Sequence, residues 1–438
     1  MNIFKAYDIR GIYGKDITDE IALDLGKSLG TLLSGKGNVC IGFDTRPSSI
    51  NVFNNFVSGL TSTGCNVISL GMVPNPFAYF FAWKNKVFGC HITASHNPVY
   101  WTGFKLINPK GVSFIKENKF LERIFKSKKF IIGKEGKVIE EDITKEYSSF
   151  IKRKFEKLNG KIVFDFLGGA GIKSLEVLKD FNLDVVPLHV KPDASLYGFH
   201  MLEPWGKLLD NAKEAVIKEK AEFGVAFDCD ADRAIFIDSN GKYVDPSVVS
   251  AIFIENILKK KKGEVVATFD CASELEKFSK DRGGKLSWSR VGHSFIEQKI
   301  LYEKALFAGE ESSHYFFNEF YPFSDGLLSA LQMCKILKES KKSLDEMIKK
   351  IKFNPVEKIY IDAKTDEKKD EVVEKLRKRY PKSIDIADGF KIKLNKVEWI
   401  IIRGSQTLPE INLCAEAKNK RREKELVQKY SEIIKKEL

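Results

Sequence analysis

Residues 38–71, NVCIGFDTRPSSINVFNNFVSGLTSTGCNVISLG, carry the pattern that decides the fold. NVCIGFD (38–44) is a short apolar run that reads as a buried strand. A helical pattern follows from Ser49 to Thr63, and NVISLG returns to strand character. The same order recurs at KIVFDF (161–166), a helix near Ile172–Phe181 and DVVPLHV. It recurs again at VVATFD (265–270), a helix through Leu275–Ser279 and KLSWSRV. Strand–helix–strand units predict helix-covered, parallel-leaning sheets, hence an α/β architecture. Working outward, they divide the chain into three similar α/β blocks near 1–142, 143–241 and 242–352.

The remainder, 353–438, is different. IYIDA, a charged helix (Lys368–Arg379), a DGFKIKL strand, VEWIIIR, INLCAEA and a closing Lys/Arg/Glu helix predict a smaller α+β domain with an antiparallel sheet. Asn354-Pro355 marks the junction, because the residue before proline leaves the helical region. No low-complexity linker separates the blocks, so four domains are expected to pack around a shared site.

Bulk properties narrow the function class. Of 438 residues, 43% are hydrophobic and 30% charged, the balance of a soluble globular protein. No apolar run approaches the roughly 20 residues of a membrane span. The richest, VPNPFAYFFAW (Val73–Trp83), is broken by Pro74 and Pro76. Lys5, Asp8 and Arg10 near the start leave no secretory apolar region, so the cytoplasm is expected. Seven cysteines, none in a CxxC pair, argue against a disulfide framework and a zinc knuckle. The net charge of +12 is spread along the chain, with small runs at 126–129 and 259–262. Nucleic-acid binding is not expected from so diffuse a pattern. A positive field does favour an anionic small substrate such as a sugar phosphate.

Four polar segments follow apolar runs. HITASHNPVY (91–100) places Ser95 before a His-Asn-Pro turn. The lipase-type elbow G-x-S-x-G is absent, and in an extended segment His96 would point away from Ser95. Taken alone, the stretch reads as a polar strand end running into a turn. DCDADR (228–233) lies between the apolar runs FGVAF and AIFID. Asp228, Asp230 and Asp232 offer hard oxygen ligands suited to Mg²⁺, and the EF-hand glycine and glutamate are missing. AGEESSHYF (308–316) alternates Glu310, Ser312 and His314 with Glu311 and Ser313. An extended loop would present the first three together to sugar hydroxyls, although an ordinary polar loop fits the piece equally well. IIIRGSQTLPEI (400–411) delivers Arg403 and then Ser405, Gln406 and Thr407, a compact phosphate cradle. No Walker A or GxGxxG pattern points to a nucleotide. Together the four describe a metal-assisted site for a phosphorylated polyol.

The ordered set TASHNP, DCDADR, GEESSH and RGSQT resembles the α-D-phosphohexomutases, the phosphomannomutase/phosphoglucomutase family. KAYDIRGIYG (5–14), GFDTRPSS (42–49), TGFK (102–105) and RVGHSFI (290–296) extend the resemblance over nearly the whole chain. It implies three similar α/β domains with mixed sheets plus a smaller C-terminal α+β domain around a central cleft. It implies that Ser95 carries a phosphoryl group and joins Asp228, Asp230 and Asp232 around Mg²⁺. Glu310, Ser312 and His314 would read sugar hydroxyls, and Arg403, Ser405, Gln406 and Thr407 the non-reacting phosphate. Arg10, Lys105, Arg233 and His293 match basic residues of the reaction site, and His96 is expected as a phosphate or loop contact.

The implied reaction moves phosphate between C1 and C6 of mannose or glucose phosphates, through a bisphosphorylated hexose such as glucose 1,6-bisphosphate. Either His293 or His314 would shuttle the proton. A phosphoglucosamine or N-acetylglucosamine phosphate mutase is the alternative within the family, and a non-catalytic sugar-phosphate-binding protein the alternative outside it. A monomer or dimer is expected. Three residues depart from the pattern: Cys229 and Ser313 replace glycines, and Gln406 replaces asparagine or glycine. The first two cost backbone freedom if their positions need φ > 0.

Overall fold

The computed structural model describes residues 3–438 other than 6, 156–157, 194–205, 387 and 407. Four sheets follow one another along the chain. The first orders its strands Ile9–Ile12, Trp101–Ile107, Phe88–Ile92, Asn38–Phe43, Asn66–Met72 and Val138–Glu140. Trp101–Ile107 is antiparallel to both neighbours, and the remaining pairs are parallel. The second runs Ala234–Ile237, Phe223–Phe227, Lys161–Asp165, Asp184–Leu188, with only its first pair antiparallel. The third runs Lys285–Ser289, Glu264–Thr268, Phe307–Gly309, Tyr315–Phe317, with only its last pair antiparallel. The fourth, Val356–Asp362, Glu410–Glu416, Trp399–Gly404, Gly389–Lys393 and Ile384–Asp385, is wholly antiparallel. Three α/β domains with mixed sheets and a C-terminal antiparallel domain are thus the architecture.

Connection length explains the mixture. A parallel return needs a crossover of about a dozen residues or more. The strand–helix–strand units supply it, whereas the four polar segments are too short. Residues 93–100, 228–233, 310–314 and, of the described residues, 405–406 and 408–409 therefore each belong to the turn between two antiparallel strands. Every candidate site loop is a hairpin turn.

The expected helices form with small shifts at their ends. Ser49–Thr61 stops just short of Thr63, and Glu274–Asp281 and Asp366–Arg379 slightly overrun their expected spans. Thr365 explains the last, since its side chain accepts from Lys368 N and caps the helix. The helix expected near Ile172–Phe181 is shorter. A 3₁₀ turn, Ala170–Lys173, leads into Ser174–Leu178. Its exit tightens to i→i−3 bonds, Asp180 N to Val177 O at 3.0 Å and Phe181 N to Leu178 O at 3.1 Å.

The helix Asn75–Asn85 (NPFAYFFAWKN) is apolar all round because it is buried on both sides. One side covers the first sheet; the other meets the second domain, with the Phe77 ring centroid 4.2 Å from that of Tyr147 and Phe80 5.1 Å from Phe150. On the opposite face of the first sheet, Asp19–Leu32 and Ser49–Thr61 cross through reciprocal glycines. A Cβ on Gly26 would lie 2.1 Å from Phe56 O, and one on Gly59 2.0 Å from Leu23 O. Gly26→Val is therefore expected to force the helices apart and destabilise the protein by roughly 2–3 kcal/mol. An unchanged thermal midpoint would contradict this close approach.

Candidate active site

The strand Phe88–Ile92 leads to Thr93, whose Oγ1 accepts from Ser95 N at 2.8 Å. Ser95 is buried and left-handed, with φ +49°. The expectation of an extended segment fails here, with a structural consequence. The reversed backbone brings Ser95 Oγ within 3.5 Å of His96 Nδ1 instead of separating the two side chains. Ser95 Oγ donates to Asp228 Oδ2 at 3.0 Å, and His96 Nδ1 accepts from Arg233 Nη2 at 2.9 Å. Arg10 Nε pairs with Asp8 at 2.7 Å, and its Nη1 donates to Ala94 O and Asn97 Oδ1, both at 3.1 Å.

Between the strands Phe223–Phe227 and Ala234–Ile237, Asp228, Asp230 and Asp232 are all buried. One oxygen from each lies within 4.8 Å of the others. Lys105 Nζ reaches Asp230 Oδ2 at 2.7 Å and Asp232 Oδ2 at 2.6 Å. Asn75 Nδ2 donates to Asp232 Oδ2 at 2.9 Å. Burial, then Asp230 and Asp232, push the Asp228 carboxyl up. Burial also acts to raise Asp230 and Asp232, but Lys105, and for Asp232 His314 as well, hold both below the usual range. Asp230 Oδ1 is buried with no hydrogen-bond partner. Convergent hard oxygens, one of them orphaned, beside acids that repel one another are the donor set a divalent cation such as Mg²⁺ takes. The three aspartates fit that group.

The turn after Phe307–Gly309 is tight rather than extended. Glu310 N donates to His314 O at 3.0 Å, Ser313 N to Glu310 O at 3.1 Å, and Ser313 has φ +67°. Glu310, Ser312 and His314 still share one side. His314 Nδ1 lies 2.9 Å from Glu310 Oε2, and Ser312 Oγ lies 3.3 Å from the same oxygen. Glu311 turns away and accepts from Ser247 Oγ at 2.8 Å. His314 Nε2 also meets Asp232 Oδ1 at 3.1 Å, which ties this turn to the aspartate turn. Burial lowers the His314 pKa, but Asp232 and Glu310 more than offset it, and it is pushed up to about 9. His293 stacks on His314 with ring centroids 5.9 Å apart. Burial, then Lys105, press it well below the usual imidazole value.

In the last domain, Arg403 Nη1 donates to Asp388 Oδ2 at 3.0 Å, and Lys369 Nζ donates to Ser405 O at 3.0 Å. Thr407 lies outside the described residues.

A cleft of about 470 Å³ joins the four turns. Arg10, Ser95, His96, Lys105, Arg233, His293, Glu310, Ser312, His314, Arg403, Ser405 and Gln406 line it. Tyr7, Lys358, Tyr360 and Asn412 line it as well, and sequence reasoning missed them. Tyr7 sits in KAYDIRG; Lys358 and Tyr360 show the strand alternation of KIYID, a signal that exposes them to one face without saying which.

Three family descriptions match consecutive parts of the chain: phosphoglucomutase/phosphomannomutase alpha/beta/alpha domain I over residues 1–131, domain II over 141–241 and domain III over 245–353. A phosphoglucomutase/phosphomannomutase of Thermococcus kodakarensis is 32% identical, with 97% of each chain covered. The chain belongs to the phosphoglucomutase/phosphomannomutase family. A probable phosphoglucosamine mutase of Pyrococcus furiosus is also 32% identical, over 99% of this chain and 97% of its own. A crystal structure of a family protein from Burkholderia thailandensis shares the fold, with TM-score 0.87, 24% identity and coverage of 100% of this chain and 97% of that one.

In this member of the phosphoglucomutase/phosphomannomutase family, the two glycine replacements behave differently. Ser313 does occupy a left-handed position, which costs a non-glycine residue roughly 1 kcal/mol. Cys229 does not; the left-handed residue of its loop is Ala231, φ +57°. The Cys229 side chain is instead buried, with Sγ 3.7 Å from Asp44 Oδ2 in the first domain. No described helix is long and apolar enough to cross a membrane.

Proposed function

We propose that this chain is a phosphohexomutase that moves a phosphoryl group between C1 and C6 of glucose or mannose phosphates, with Ser95 as the carrier. The observation that supports this best is the 3.0 Å bond from Ser95 Oγ to Asp228 inside the aspartate cluster, at the wall of a cleft lined by cations and sugar-reading groups. A hydroxyl oxygen of the bound sugar phosphate attacks the phosphorus of phosphorylated Ser95. The phosphorus–Oγ bond breaks, Oγ takes one proton to become the serine hydroxyl, which balances the proton lost by the sugar, and that hydroxyl faces Asp228. His293, kept neutral by burial, is the imidazole able to take the hydroxyl proton. Arg10, Lys105 and Arg233 supply positive field, and Arg403 with Ser405 and Gln406 anchors the phosphate that does not react. A Mg²⁺ held by Asp228, Asp230 and Asp232 would neutralise charge on the transferring group.

Regenerating phosphoserine from the second phosphate of the bisphosphorylated hexose completes the exchange. Because the intermediate returns in the opposite orientation, the sugar loop must accept either face. Glu310, Ser312 and His314 suit this, since each can pair with different hydroxyls.

The reading is tested by a coupled assay on glucose 1-phosphate, mannose 1-phosphate and glucosamine 1-phosphate, primed with glucose 1,6-bisphosphate. Conversion of the glucose and mannose compounds to 6-phosphates at more than about 10-fold the glucosamine kcat/KM is expected, since one pocket contact decides differences of that size. Preference for glucosamine 1-phosphate would favour the second reading, which the identity to a probable phosphoglucosamine mutase supports. No turnover of any of the three would overturn the enzyme assignment.

A further inference from the structure

Behind the serine loop lies a residue that does not touch the cleft. Arg46 follows the strand Asn38–Phe43, is buried, and uses its whole guanidinium. Nη2 donates to Ser95 O at 2.6 Å and Asn97 O at 2.7 Å; Nη1 donates to Pro98 O at 2.6 Å and Trp101 O at 3.1 Å. Nε donates to Asp44 Oδ2 at 3.0 Å. A guanidinium has five N–H groups, and each has an acceptor here.

We propose that Arg46 is the positioning residue of the carrier serine: its guanidinium gathers four loop carbonyls, holds Ser95 in its left-handed turn, and so aims Oγ at Asp228. The inference rests on the reading of Ser95 as phosphoryl carrier. Three features carry it. First, a left-handed serine does not hold itself, because the conformation is unfavourable for a residue with a Cβ. Ser95 and Asn97 are therefore pinned by their own carbonyls, on a buried guanidinium. Second, the four bonds from Nη1 and Nη2 go to backbone oxygens and the fifth to Asp44, so Arg46 fixes loop shape without competing for phosphate. Third, Asp44 holds the guanidinium and also accepts from Ser49 Oγ at 2.6 Å and Cys229 Sγ at 3.7 Å. Cys229 sits between Asp228 and Asp230, so one anchor sets both the serine loop and the metal loop. The cysteine that departs from the family pattern thereby gains a place in the site.

Arg46→Lys tests this. Lysine keeps the charge beside Asp44 but has three donors on a single nitrogen and cannot span the four carbonyls. With the substrate pocket untouched, kcat is expected to fall about 100-fold, as for a reacting atom displaced by about 1 Å, while KM stays within about twofold. The rate at which glucose 1,6-bisphosphate phosphorylates Ser95, followed by intact-protein mass spectrometry, should fall in parallel. Added methylguanidinium should restore turnover in Arg46→Ala at least severalfold, which covers the case in which the lysine variant folds poorly. Wild-type kcat in Arg46→Lys, a rise in KM that accounts for the whole loss, or no restoration in Arg46→Ala would each overturn the proposal. An active Ser95→Ala would take the carrier reading down and this inference with it. An inactive Ser95→Ala beside a fully active Arg46→Lys would overturn only the positioning role.

Discussion

Ser95→Ala is expected to lower turnover by more than about 10⁴-fold while leaving sugar-phosphate binding within a few-fold of normal, because removing the atom that carries the transferred group ends the covalent route. Folding should survive. The side chain loses one hydroxyl, and the bonds that shape its loop run from Ser95 N to Thr93 and from Arg46 to Ser95 O, both main-chain groups that alanine keeps. Asp228 loses a donor, yet its carboxyl still faces the Arg233 guanidinium, with Nε at 3.4 Å. Binding should persist because Arg403, Ser405 and residues 310–314, the groups proposed to hold the substrate, lie on other domains. Purified Ser95→Ala should carry no phosphate after exposure to glucose 1,6-bisphosphate, whereas the wild-type chain gains one phosphoryl group by mass. Turnover near normal, or phosphate at another residue, would remove Ser95 from the carrier role.

The second large effect belongs to the metal loop. Asp230→Asn is expected to raise the Mg²⁺ concentration for half-maximal turnover by at least about 10-fold, since a neutral amide oxygen replaces a charged ligand. A second readout does not depend on activity. Mg²⁺ should raise the thermal midpoint of the wild-type protein, because an ion that binds only the folded state stabilises it, and it should raise that of Asp230→Asn much less. Without Mg²⁺ that difference should narrow. The substitution relieves the repulsion of Asp230 on Asp228 and Asp232 but gives up its 2.7 Å pair with Lys105, which keeps its 2.6 Å pair with Asp232. Identical Mg²⁺ titrations of activity and of thermal midpoint in the two proteins would exclude Asp230 as a ligand.

Several parts of this site were legible in the residues themselves. The three aspartates alternate on a short segment between two apolar runs, and that spacing alone places them together on a turn. The alternation of Glu310, Ser312 and His314 against Glu311 and Ser313 likewise sorts the side chains that line the cleft from the two that do not. Lys358, Tyr360 and Asn412 were not legible, because which face of a strand borders a cleft depends on the domain packed opposite it. Arg46 was also missed. A lone arginine after a strand resembles any surface cation until the carbonyls it gathers are seen. The Ser95–His96 geometry was misjudged for a local reason. The left-handed turn at Ser95 has no glycine to mark it, since distant contacts, not local propensity, impose it.

The four-domain α/β organisation, the family and the loops that meet in the site follow from apolar periodicity and short motifs, which are local properties of the chain. Folding alone sets the four turns between antiparallel strands, the contact of His314 with Asp232, the opposite shifts that burial and neighbours impose on His293 and His314, and the bonds by which Arg46, held by Asp44, gathers the carbonyls behind Ser95. Each of these depends on groups far apart in the chain, such as Ser95 and Asp228 or Asp44 and Cys229, whose distances only folding sets. Charge and reactivity in a buried site follow from those distances, because burial removes the water that would otherwise screen one group from the next.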